Sequence, residues 1–266
     1  MSYDPHEKKM HLMDHLRELR KRLIISCIVI AVGAICAYMY AGEIFAIVCA
    51  PYFAAFPNSP LIGTSPTEAW VLKLKVSVFA GALLTSPILF YQLWLFVAPG
   101  LYAHERKLVV PFIALSTALF CGGAFFCYRM VLPLTFAFFH DEFTSIGVTP
   151  TIRVGDQVSM TITALAGFGA VFELPLLTFF LSRIGVIDHT FLLSWFKHAV
   201  VIIFVIAAVL TPPDVLTQFL MAGPLMILYV ISIGIAYVAA PRVEQLESAP
   251  ATPNHHMPQS GSATSL

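Results

Sequence analysis

Gln157–Ser182 reads QVSMTITALAGFGAVFELPLLTFFLS, and the one charged side chain in it is Glu173. Asp156 and Arg183 bound the stretch. At 26 residues it is longer than the roughly 20 that an α-helix needs to cross a bilayer core. It therefore predicts a membrane span, with Glu173 roughly 15 Å from Arg183 and close to mid-depth. A carboxyl group there costs on the order of 2.5–3.5 kcal/mol on insertion scales. Such a residue either hydrogen-bonds a neighbouring helix and holds the bundle together, or offers a polar contact to a partner helix or cargo segment.

The rest of the chain has the same character. Of its 266 residues 58% are hydrophobic and 11% charged, where a soluble domain carries about a quarter charged residues. A multispanning, all-α integral membrane protein follows. The formal net charge is zero, so no broad basic field exists to bind nucleic acid. Cys27, Cys36, Cys49, Cys121 and Cys127 form no CxxC pair. They read as small apolar residues rather than a disulfide framework or metal site. HExxH, GxSxG and Walker patterns are missing, which speaks against an enzyme and against a metal or cofactor site. The first apolar run begins only at Leu23 and is followed by no AxA-type site, unlike a cleavable signal peptide.

Charge-free runs predict six transmembrane helices. They are Leu23–Gly42, the run from Lys75 to Phe96 with a kink at Pro87, Leu108–Tyr128, the Glu173 stretch, a short run between Lys197 and Thr211, and Val215–Ala240 interrupted by Pro224. Segments on the side of the N-terminus carry Lys8, Lys9, Arg17, Arg20, Lys21, Arg22, Arg106, Lys107, Arg183, Lys197 and Arg242. The other side carries only Lys73, Lys75, Arg129 and Arg153. The excess places both termini in the cytoplasm.

The connections have readable features too. Residues 1–22 lead into span one through HLMDHLRELRKRL (11–23), with Leu12, Leu16, Leu19 and Leu23 on one helical face and Glu18 positioned to pair with Arg22. This predicts an amphipathic helix along the cytoplasmic surface that feeds into span one. Ser65-Pro66-Thr67-Glu68 reads as a capping box opening span two. VLPLTFAFFHDEF is apolar but too short to span, and is expected to lie against the outer face. Thr211-Pro212-Pro213-Asp214 reads as a tight cap joining the last two spans. Residues 241–266, rich in Pro, Ser, Thr and Ala, read as a disordered cytoplasmic tail. No internal repeat marks an inverted-repeat transporter.

Five motifs occur in order: HLRELRKRL before the first span, SPTEAW entering the second, APGLYAHER after it, FELP in the fourth and LTPPDVLTQ at the last outer turn. Together they resemble the TatC family, the polytopic subunit of the twin-arginine (Sec-independent) protein translocase. The resemblance covers about residues 10 to 240. It implies a cupped bundle of six helices with a short hairpin of the fifth and sixth, acting as a receptor and core subunit in the bacterial cytoplasmic (inner) membrane. It also implies signal-peptide-binding roles for Glu18, Arg20, Phe96 and Glu105, and contact of Glu173 with a partner helix or an inserted signal. Pro212, Pro213, Asp214 and Gln218 match the family's outer-turn motif, and Pro51 a proline of the first outer loop. At these positions partner docking and a purely structural role both stand. The partners implied are TatA-like and TatB-like single-span subunits, twin-arginine signals of folded cargo, membrane lipid and further copies of the chain in a larger complex. The energy source implied is the proton motive force. A different class of answer is a proton-coupled small-molecule secondary transporter using Glu173; a third is an assembly scaffold without cargo contact.

Overall fold

The computed structural model describes residues 5–97, 109–210 and 215–239. Those residues form eleven α-helices and one π-helical segment: α1 (Pro5–Tyr38), α2 (Ala41–Ala55), α3 (Glu68–Leu84), α4 (Ser86–Val97), α5 (Val109–Phe126), the π segment (Cys127–Val131), α6 (Leu132–Ser145), α7 (Val154–Phe172), α8 (Leu174–Arg183), α9 (His189–Ser194), α10 (Phe196–Leu210) and α11 (Val215–Ala239). Among the described residues four stretches are long and apolar enough to cross a membrane: His15–Tyr38, Val110–Ser145, Val154–Arg183 and Val215–Ala239. The helices α3 and α4, bent by 61° at Thr85, add a fifth if they count as one span. Where the fifth span is expected, α10 has only 15 residues, fewer than the other candidate spans. The protein is thus an all-α integral membrane protein.

Where proline stands decides several boundaries. Pro87 breaks span two as expected, and the carbonyl of Leu83 that its missing N–H leaves open accepts the Ser86 hydroxyl at 2.7 Å. The first outer connection, by contrast, is largely helical: Pro51 lies buried inside α2 rather than in a loop turn. Its ring removes the N–H that would reach the carbonyl of Ile47. The Tyr128 hydroxyl fills the gap, donating to that oxygen at 2.9 Å, so the helix survives its proline. Nor does Pro224 interrupt α11, which runs unbroken for 25 residues; in an apolar surround a helix has no better place for its backbone groups.

Three other segments differ from expectation. VLPLTFAFFHDEF is not a separate surface element, because span three continues through the π segment into α6. The extra residue of the π turn lies directly before Pro133, with Leu132 N–H reaching Cys127 O. The amphipathic N-terminal segment and span one form a single helix, α1, with no Gly or Pro between Met10 and Val32 to stop it. Leu16, Leu19 and Leu23 are exposed along it. Span four is the single stretch Val154–Arg183, its helix interrupted at one residue, Glu173, between α7 and α8. The short α9 carries no apolar period that announced it; Asp188 caps it, accepting from Phe191 N–H. That bond and one from the Thr190 hydroxyl hold the Asp188 carboxyl below its ordinary range.

Packing is close where small residues allow it. A Cβ at Gly81 would collide with the backbone of Ala34, so α3 seats directly on α1 through Gly81 and Gly33. The main apolar core joins α2, the π segment, α6, α7, α10 and α11 around Tyr52, Leu132, Phe136, Phe168, Met221 and Leu225, all fully buried. At the end away from the N-terminus the two long connections are clasped together. Ile62 N–H donates to Ile152 O at 3.0 Å, Val154 N–H to Ile62 O at 2.9 Å, and Arg153 donates to the Thr64 hydroxyl at 2.8 Å. Glu68 completes the clasp, accepting from the N–H groups of Thr64, Ser65 and Gly155. Half of the expected capping box therefore forms: the Glu68 carboxylate reaches back to Ser65, while the Ser65 hydroxyl pairs with Thr67.

Candidate functional site

Two polar places stand out from the apolar bundle, and α4 touches both. The first lies at the end of the bundle that holds the N-terminus. Glu18 and Arg22 are one turn apart on α1, and their carboxylate and guanidinium meet at 3.0 Å. The same guanidinium donates to the Gln92 side chain of α4 at 3.1 Å, while its Nε is buried with no hydrogen-bond partner among the described residues. One turn before Glu18, His15 stacks on Phe96 of α4 with ring centroids 4.4 Å apart. Glu18 keeps 32% of its side chain exposed. Arg20 is exposed on the same helix.

Helix geometry explains this meeting. His15, Glu18 and Arg22 recur at three and four residues and so share one face of α1. Gln92 and Phe96, four apart, share one face of α4. The break at Thr85 swings α4 so that this face meets that of α1. Of the sequence-predicted recognition residues, Glu18 and Phe96 are therefore brought to one site. Glu105, Pro212, Pro213 and Asp214 lie outside the described residues.

The second place is Glu173, at the joint between α7 and α8. Its residue is only 9% exposed, and its Oε1 has no hydrogen-bond partner among the described residues. The Ser116 hydroxyl of α5 contacts the carboxyl, and that hydroxyl in turn accepts from the indole N–H of Trp94 on α4 at 2.9 Å. Trp94 packs against Phe112 and Phe180, so an apolar wall surrounds the acid. A groove of about 470 Å³ opens beside it, lined by Leu115, Phe172, Pro175 and Ile231 among others. Pro175 contributes to the break at Glu173, since its ring removes the N–H due to Val171 O. A half-satisfied buried carboxyl, its chain neighbours Phe172 and Pro175 lining an apolar groove, is the kind of group that accepts a hydrogen bond from a polar side chain on another helix.

Gln218 has a definite engagement: its side-chain amide donates to Phe204 O of α10 at 2.8 Å, tying the last hairpin together. Pro51 acts through the Ile47 carbonyl described above. Sequence reasoning passed over His15, Gln92, Trp94, Ser116 and Tyr128. Gln92 carried a signal, being the lone amide in the apolar run Ser86–Val97; the others become legible only when helices are placed side by side.

Comparison with known proteins agrees with this architecture. Residues 14–224 match the family model described as Sec-independent protein translocase protein (TatC). The Sec-independent protein translocase protein TatC of Campylobacter jejuni is 42% identical over 239 residues, 89% of this chain and 98% of its own length. That of Aquifex aeolicus is 39% identical over 241 residues, 90% of this chain and all of its own. A crystal structure of a twin-arginine translocase receptor, TatC, superposes with a TM-score of 0.78 at 41% identity, covering 85% of this chain and 99% of that one. The chain belongs to the TatC family.

Proposed function

We propose that this protein is the receptor and core subunit of a twin-arginine translocase in the bacterial cytoplasmic membrane. Both termini are cytoplasmic in this reading, so the Glu18–Phe96 site faces the compartment in which folded cargo waits. A transport subunit of this kind catalyses no covalent reaction. The observation that supports the reading most is the convergence of Glu18 and Phe96, from helices far apart in sequence, at one partly exposed site.

The chemistry suits a paired-arginine signal. A planar guanidinium meets a carboxylate through two parallel hydrogen bonds, which lysine does not reproduce. One signal arginine replaces Arg22 on Glu18, and the second engages Glu105. Arg22, with Gln92 still beside it, does not lose every partner in the exchange. The His15–Phe96 stack supplies an aromatic surface for the residues next to the arginines. Exposed ion pairs contribute only about 0–1 kcal/mol each, so affinity also draws on the signal's apolar segment lying along the bundle.

Glu173 then serves as the polar contact for a TatA-like or TatB-like helix, or for the inserted signal, in the adjacent groove. The driving energy comes from the proton motive force. A small-molecule transporter reading loses ground to the family match and to the lack of an internal repeat in the sequence. The test is complementation of a strain lacking its own subunit. Export of a folded reporter is expected to be restored, and to stop when lysines replace the cargo's two arginines or when Glu18→Gln and Glu105→Gln are combined. Export indifferent to all of these changes overturns the reading.

A further inference from the structure

We infer that the groove between α3 and α7 is a binding site for one zwitterionic phosphoethanolamine lipid, in the leaflet at the clasped end of the bundle. The groove encloses about 500 Å³ and is open at the protein surface. Its walls are Val78, Phe79 and Ala82 of α3 and Ile162 of α7. Lys75 lies one turn before Val78 and two before Ala82, so groove and ammonium share one face of α3.

Lys75 is the feature that a passive apolar surface does not explain. Its side chain is exposed, and its ammonium donates to the Ser159 hydroxyl at 2.9 Å rather than to a carboxylate. The position is about 10 Å along α3 from Glu68, inside the clasp and at the depth where a lysine reaches for phosphate. Outward of it lies a polar recess of about 270 Å³ that holds Glu68, Arg153 and Asp156. The Glu68 carboxylate is taken up by three backbone N–H groups. Asp156 meets Arg153 only at 3.9 Å and is largely exposed, leaving a carboxylate oxygen available.

From groove to recess the order is therefore apolar groove, cation with hydroxyl, then the Asp156 carboxylate beside the Arg153 guanidinium. A phosphoethanolamine lipid has the matching order: acyl chain, phosphate, ammonium. The phosphate sits on the Lys75 ammonium and Ser159 hydroxyl, an acyl chain fills the groove, and the ammonium meets Asp156. A phosphatidylglycerol places no cation opposite Asp156 and fits less well. That Lys75 lies in the outer leaflet rests on the proposed orientation; the site itself does not.

The test is native mass spectrometry of the full chain, stripped of lipid in detergent and titrated with phosphatidylethanolamine or phosphatidylglycerol. One tightly held phosphatidylethanolamine is expected, with weaker phosphatidylglycerol binding. Lys75→Gln is expected to weaken binding about tenfold, the scale of one charge-assisted hydrogen bond. Lys75→Arg keeps the site, and Lys73→Gln, which lies off the groove, behaves as the parent protein. Ala82→Trp plugs the groove beneath an intact Lys75 and lowers binding without removing any charge. Equal retention of both lipids, or equal binding by Lys75→Gln and Lys73→Gln, overturns the proposal, since either describes only an unspecific lipid shell. Signal capture is measured separately, so failure here leaves the receptor reading standing.

Discussion

A proline within a membrane helix leaves one carbonyl without its donor, and two residues of this protein show what becomes of that oxygen. At Pro87 a hydroxyl from the next residue back takes it; at Pro51 a tyrosine from another helix does. The second case makes a sharp prediction. Tyr128→Phe is expected to lower stability in detergent by about 1 kcal/mol, the scale of a single net hydrogen bond. In a Pro51→Ala background, where the restored backbone N–H can reach Ile47 O, the same change is expected to have much less effect. A thermal-unfolding double-mutant cycle reads the coupling; purely additive effects contradict the pairing. At the signal site, Glu105→Lys is expected to weaken capture of a twin-arginine peptide roughly fivefold or more, as an attraction worth up to about 1 kcal/mol becomes repulsion. Undiminished crosslinking contradicts that assignment. The sequence singled out Glu173 as the one charge in a long apolar run, and Glu18 and Phe96 only through the family resemblance; the structure brings the last two together. Ser116 and Trp94 were not legible in the sequence, since serine and tryptophan are ordinary in membrane helices and only the α4–α5 contact gives them a role.

At the scale of the helix, close backbone approach carries the architecture. Gly81 lies against Ala34 with no room for a side chain, whereas Gly42 has open space around it. Gly81→Leu is expected to destabilise the bundle by about 1–3 kcal/mol through forced overpacking, and Gly42→Leu to leave it almost unchanged. Comparing melting temperatures of the two variants checks this; equal melting points contradict the α1–α3 seat. Helix positions were readable from charge-free runs because each run needs only local information. Element boundaries were less so. Pro87 ended a helix while Pro51 and Pro224 did not, and the difference lies in neighbours and surroundings that the local sequence does not display. The unbroken path from α5 through the π segment to α6 was hidden in the same way: Arg129 looks like the end of a span and Pro133 like a break, although the helix runs through both.

For the whole molecule, unequal helix lengths suggest how the bilayer is held. The 15 residues of α10 reach about 22 Å, short of a core of about 30 Å. The stretch Val110–Ser145, 36 residues, reaches about 54 Å and stands well beyond it. A short span thins or tilts its surroundings at modest cost, and we propose that α10 in this way lowers the barrier to opening a path for folded cargo. Lengthening α10 by four leucines is expected to reduce export while leaving signal capture intact; unchanged export contradicts the thinning role. The most direct test of the receptor reading is photocrosslinking from a photoreactive phenylalanine analogue at position 96 in native membranes. A twin-arginine signal peptide is expected to form an adduct that falls sharply with lysine–lysine peptide, and with Glu18→Gln combined with Glu105→Gln. An adduct of equal yield in all three cases would contradict the assignment of this face as the signal-binding site.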